Sequence, residues 1–119
     1  MAAIRYFGSK ADGYTATSGF HDARVRRESG GWKASYYGRP AVHNPWVNGV
    51  RSCMCPPVLL KETFRTRKAA AEAALSLLKS EEKALDLARK TGNEDAALAP
   101  VRALVAEKAT VDRRYPYSL

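Results

Sequence analysis

The chain has 119 residues and a mass of 13.1 kDa, which allows one domain, residues 1–119, with one modest core. A hydrophobic share of 45% suits a folded protein, and no apolar run approaches the roughly 18 residues of a membrane span. Net charge is +8 and unevenly placed: residues 1–68 hold twelve Lys plus Arg against four Asp plus Glu, while residues 69–119 hold eight of each. An excess of cations confined to one part of a chain is the footprint of a phosphate-backbone binder, and an acidic protein partner or solubility would produce it too. The opening MAAIRYFGSK lacks an apolar signal-peptide core, and the two cysteines, Cys53 and Cys55, are too close for an ordinary mutual disulfide, so a reduced, cytoplasmic chain is expected.

Ile4, Tyr6 and Phe7 start a short strand that Gly8 ends, and Tyr14, Ala16 and Ser18 alternate with Thr15 and Thr17 in a second. The clearest β signal follows. In residues 21–29, Ala23 and Val25 fall on one side and Arg24 and Arg26 on the other. Gly30-Gly31 makes the turn. Trp32, Ala34 and Tyr36 then share the apolar face, with Lys33, Ser35, Tyr37 and Arg39 opposite.

Residues 40–57 read as a loop punctuated by Pro40, Pro45, Gly49, Pro56 and Pro57, a length that inside a small domain points to function or mobility. Residues 58–64 read as a strand with Val58, Leu60 and Phe64 inward and Lys61 outward. The most periodic stretch, Phe64 to Gly92, predicts a long helix. Thr66 is its N-cap and Gly92 its left-handed stop, and its apolar stripe is Ala71, Leu75, Leu78 and Leu85, widened by Ala74, Leu77, Ala84 and Ala88. Asn93 caps a second helix with Glu94 and Asp95 in its first turn and Leu98, Val101, Leu104, Val105 and Val111 buried, which Pro100 kinks or restarts. The expected fold is α+β: a three- or four-stranded antiparallel sheet covered on one face by the long helix, with a second, C-terminal helix behind.

The order hairpin, strand, helix, with GGWKASYYGR on the second hairpin strand and ETFRTRKAAAEAALSLL across the junction, resembles the three-stranded DNA-binding domains of plant ethylene-response factors and the arm-binding domains of phage integrases. The resemblance covers residues 20–79, with Trp32, Phe64, Thr66 and Ala70 at the family's supporting positions. It implies a major-groove contact made by Arg24, Arg26, Lys33, Tyr37 and Arg39 on the exposed sheet face. No integrase catalytic domain accompanies it.

Two-stranded ribbons fit the B-DNA major groove, arginine can pair bidentately with guanine, and lysine or tyrosine can hold phosphates, so the cationic face is the leading candidate site. A solvated face that discourages edge association is the alternative. Lys61 extends the candidate set. So do Arg65, Arg67 and Lys68, which oppose the dipole at a helix start and call for an anionic partner or neighbouring acids. A zinc set built from His21, His43, Cys53 and Cys55 matches no standard finger spacing, and the blander alternative is two partly buried thiols and two surface imidazoles, so no metal or cofactor is expected. A Cys/His nucleophilic pair lacks an orienting group or oxyanion element, which argues against an enzyme. Trp46, beside Val47 and Val50, is either a partner anchor or a lid folded on the sheet, and Tyr115 and Tyr117 in the tail pose the same choice. The leading function is non-enzymatic binding of nucleic acid, DNA before RNA. The competing one is a small phage-type inhibitor, such as an anti-CRISPR protein, that blocks a host protein or its nucleic-acid site.

Overall fold

A computed structural model of the chain describes residues 3–43, 46–47, 49–51 and 54–112. Among these residues eight strands and three helices follow one another: β1 (Arg5–Ser9), β2 (Gly13–Ser18), β3 (His21–Glu28), β4 (Gly31–Tyr37), α1 (Pro40–His43), β5 (Trp46–Val47), β6 (Val50–Arg51), β7 (Pro57–Leu60), α2 (Arg67–Thr91), α3 (Glu94–Lys108) and β8 (Ala109–Val111). The main sheet has six strands in the order β1-β2-β3-β4-β7-β8, all neighbours antiparallel, and β5 and β6 form a separate ribbon. The class is α+β as expected, and the sheet is wider than the three or four strands that the sequence suggested.

Local chemistry accounts for most of these elements. β3 and β4 join through Ser29-Gly30, with Glu28 facing Gly31. The Thr66 hydroxyl accepts from the Ala69 N–H at 3.1 Å, and Gly92 closes α2 at φ 70°, a conformation that costs glycine nothing. In α3 the Asn93 side chain accepts from the Ala96 N–H, and one helix runs through Pro100 to Lys108. Val111, expected on that helix, lies instead on β8 against Val58.

α2 lies across β3 and β4 and packs against α3 on its other side. The contact with the sheet is alanine on alanine: Ala70, Ala71 and Ala74 are fully buried over Ala16, Ala23 and Ala34. Small side chains on both surfaces bring the helix axis close to the strands, and Leu75, Leu78, Val25, Val58 and Trp32 fill the flanks. β3 and β4 therefore turn their small and apolar positions to α2 and their alternate positions the other way.

Candidate nucleic-acid interface

The face away from α2 is assembled by register. Phe7, Thr15, Arg24, Ser35, Leu59 and Thr110 pair in succession across all six strands and form one continuous row. Arg26 and Lys33 pair in the next row on one side. Arg5, Thr17 and Asp22 form the row on the other side, where Tyr37 faces Pro57. Among the described residues no helix covers these rows: Phe7 is 58%, Tyr37 53% and Leu59 47% exposed. Arg24, Arg26, Lys33 and Lys61, with Glu28 as the one acid, line a shallow concavity of about 450 Å³ that Leu59 and Thr110 share.

Cations outnumber acids on this surface. Arg5, Arg24, Arg26, Lys33 and Lys61 stand against Asp22, Glu28 and, opposite Pro57, Asp112, and Asp22 is already engaged by the Thr17 hydroxyl at 2.8 Å. The Lys33 ammonium donates to the Lys61 carbonyl at 2.9 Å, which fixes its position and leaves its charge unneutralised. Among the described residues, Arg24 and Arg26 have no acidic partner. Guanidinium groups held side by side on a rigid sheet are set up for phosphate oxygens or a base edge.

Of the other expected contacts, Lys61 lines the same concavity, and the rest do not join them. Arg39 belonged to the cationic face by alternation, yet β4 ends at Tyr37 and the chain turns at Gly38, whose N–H donates to the Pro56 carbonyl at 2.8 Å. Arg39 then lies on the helix side, with its guanidinium on Glu82 at 2.5 Å. Arg67 is also on the covered face, stacked 3.7 Å from the centre of the Tyr6 ring and 4.6 Å from that of Tyr14. This cation–π stack offsets the unfavourable place of a cation in the first turn of a helix. Lys68 pairs with Glu72 one turn on at 3.9 Å, and Arg65 is exposed at the entry to α2. Lys61 lies just past β7 and donates to the Ala106 carbonyl at 3.1 Å, so its ammonium completes the C-terminal end of α3. The Trp46 side chain, Cys53 and the tail tyrosines lie outside the described residues.

A second polar cluster was not anticipated. Glu81, fully buried on α2, accepts from the Tyr36 hydroxyl at 2.5 Å and from the Arg39 backbone N–H at 2.7 Å, and His43 Nε2 lies 2.9 Å from the same carboxylate. Beside it Glu82 takes His21 and Arg39. The two imidazoles are thus committed to carboxylates, and His43, at 5% exposed, is not at the surface. Among the described residues no group of three or more His, Cys, Asp or Glu could hold a metal. Burial first, then the charge and hydrogen bond of Glu81, hold the Tyr36 hydroxyl far above its ordinary range. Burial pushes the Glu82 carboxyl up, but hydrogen bonds and charges from His21 and Arg39 outweigh it and leave the group below its ordinary value. Tyr36, Glu81 and His43 are at most 5% exposed, so the cluster ties β4 and α1 to α2 and offers no opening to a substrate.

Phe7, Arg5 and Leu59 are the surface residues that sequence reasoning missed. The signal was the alternation of Tyr6 with its neighbours, hidden by the glycine and polar residues that follow. No helix is long and apolar enough to cross a membrane among the described residues. Compared with protein-family models, curated proteins and solved structures, the chain finds no match.

Proposed function

We propose that this chain is a small cytoplasmic nucleic-acid-binding protein that uses the open face of its six-stranded sheet and performs no chemistry on what it binds. The observation that carries the proposal is the convergence of Arg24, Arg26 and Lys33 on one concave, uncovered surface, with acids nearby too few to neutralise them. Three other cations of the same molecule are held internally: Arg39 by Glu82, Arg67 by two tyrosine rings, Arg102 by the carbonyls of Ala41 and Val42. Guanidinium groups that meet no acid among the described residues, set on a sheet, suit a polyanion, whose repeated phosphates release counterions on contact.

An electrophoretic shift with short oligonucleotides tests this. Three phosphate contacts give a drop in affinity of roughly 20- to 40-fold when salt rises from about 50 to about 200 mM. A complex that forms at low salt and dissolves over that range supports the proposal, and no shift at the lowest salt contradicts it.

A further inference from the structure

Taking the open face as a nucleic-acid surface, we infer that it binds a single strand in preference to a duplex, with Phe7 and Tyr37 as stacking platforms on either side of Arg24. The first reason is width. Six strands side by side span about 24 Å at the usual spacing of about 4.8 Å, twice the roughly 12 Å of a B-DNA major groove. Arg24, Arg26 and Lys33 sit on β3 and β4, inside the sheet, where two strands on each side hold a duplex away from them.

The second reason is the rings. Phe7 and Tyr37 are each more than half exposed, on strands whose alternation turns both to the same side as Arg24. Exposed aromatics beside arginines offer π-faces to unstacked bases, which a single strand can present and an intact duplex cannot.

Spacing adds a third. Phe7 on β1 and Tyr37 on β4 are three strand intervals apart and two residues out of row, which places them about 16 Å from one another. That is several times the roughly 3.4 Å between stacked bases. The two rings therefore take separate bases, and the backbone between them crosses Arg24. Both DNA and RNA single strands have the bases and phosphates that this arrangement requires.

Fluorescence anisotropy at low salt provides the test, with a labelled DNA single strand of about 12 nucleotides, the matching RNA strand and the DNA duplex. Wild-type protein is compared with the double variant Phe7→Leu, Tyr37→Leu and with the double variant Arg24→Ala, Arg26→Ala, each verified as folded by its thermal melt. Single strands are expected to bind at least about tenfold more tightly than the duplex, and the two single-strand arms distinguish DNA from RNA. The ring variant should lose about tenfold or more on single strands and keep its duplex affinity. The arginine variant should weaken on every probe. A duplex that binds as tightly as the single strands, with the ring variant unchanged, overturns the single-strand inference and leaves nucleic-acid binding standing. No binding to any probe at low salt overturns both.

Discussion

Glu81 and Arg24 stand on opposite sides of the same sheet. Beneath α2, the Glu81 carboxylate is met by Tyr36, His43 and the Arg39 backbone, while Glu82 takes the side chains of Arg39 and His21. On the open side, Arg24 and Arg26 meet no acid among the described residues, and Lys33 is bonded only to a neutral carbonyl. The difference separates charges that hold the fold from charges left over for a partner. A buried carboxylate must be satisfied internally because desolvation is costly, whereas an exposed guanidinium stays hydrated until a phosphate displaces the water. Variants on the covered side should therefore report in stability and variants on the open side in binding.

The largest effect expected is from Glu81→Ala. It removes the acceptor from the buried Tyr36 and His43 side chains and from the half-buried Arg39 N–H at once and should cost about 3–5 kcal/mol, read as a lower urea midpoint. A loss below about 1 kcal/mol would break the comparison at its covered side. Gly38→Ala comes next: a Cβ there would meet His43 at 2.5 Å and Val58 at 2.9 Å, so the seat of His43 against Glu81 must shift. Overpacking of this kind costs about 1–3 kcal/mol, and an unchanged urea midpoint would show that His43 has room to move.

The pH dependence sharpens the same side. The folded Glu82 carboxyl lies below its ordinary value of 4.5, so its stabilisation is present above that pH and is lost as the pH falls through the lower folded value. Glu82→Gln should flatten the acid limb of a stability–pH curve. Tyr36 has the opposite sign: its folded value is raised above the ordinary 10.0, so its contribution is intact below that pH and declines as the pH rises beyond it. Tyr36→Phe should remove the alkaline decline while lowering stability at neutral pH, because Glu81 loses a donor. An alkaline limb that survives this substitution would assign the decline to other groups. The smallest stability effect belongs to the open face: Arg24→Ala, Arg26→Ala and Lys33→Ala should each change unfolding free energy by no more than about 0.5 kcal/mol. Each should also flatten the salt dependence of oligonucleotide binding by about one unit of slope.

Features encoded within a few residues were legible in the sequence. Thr66 and Gly92 bound α2 through contacts to Ala69 and Ala88, and the alternation of Ala23, Val25, Arg24 and Arg26 around a glycine turn gave the polarity of the hairpin correctly. Arg39 was misplaced because alternation holds only while a strand lasts, and the turn at Gly38 followed by Pro40 at the start of α1 ends it. Glu81 carried a readable signal: it follows Leu78 by three residues and precedes Leu85 by four, a charge on an apolar stripe. Its partners, roughly forty positions earlier, could not be read from spacing. β8 is three residues long and pairs with a strand some fifty positions away, so nothing local announced it. Phe7 escaped because Gly8 masked the parity of its strand.

The central claim is that arginines on the uncovered face, and not those paired beneath the helix, meet the ligand. Nuclear magnetic resonance of the arginine Nε–H groups during titration with a short single-stranded oligonucleotide tests it most directly. The account predicts that Arg24 and Arg26 shift progressively while Arg39 and Arg67 stay in place. Shifts at Arg39 and Arg67 with Arg24 and Arg26 unmoved would contradict it.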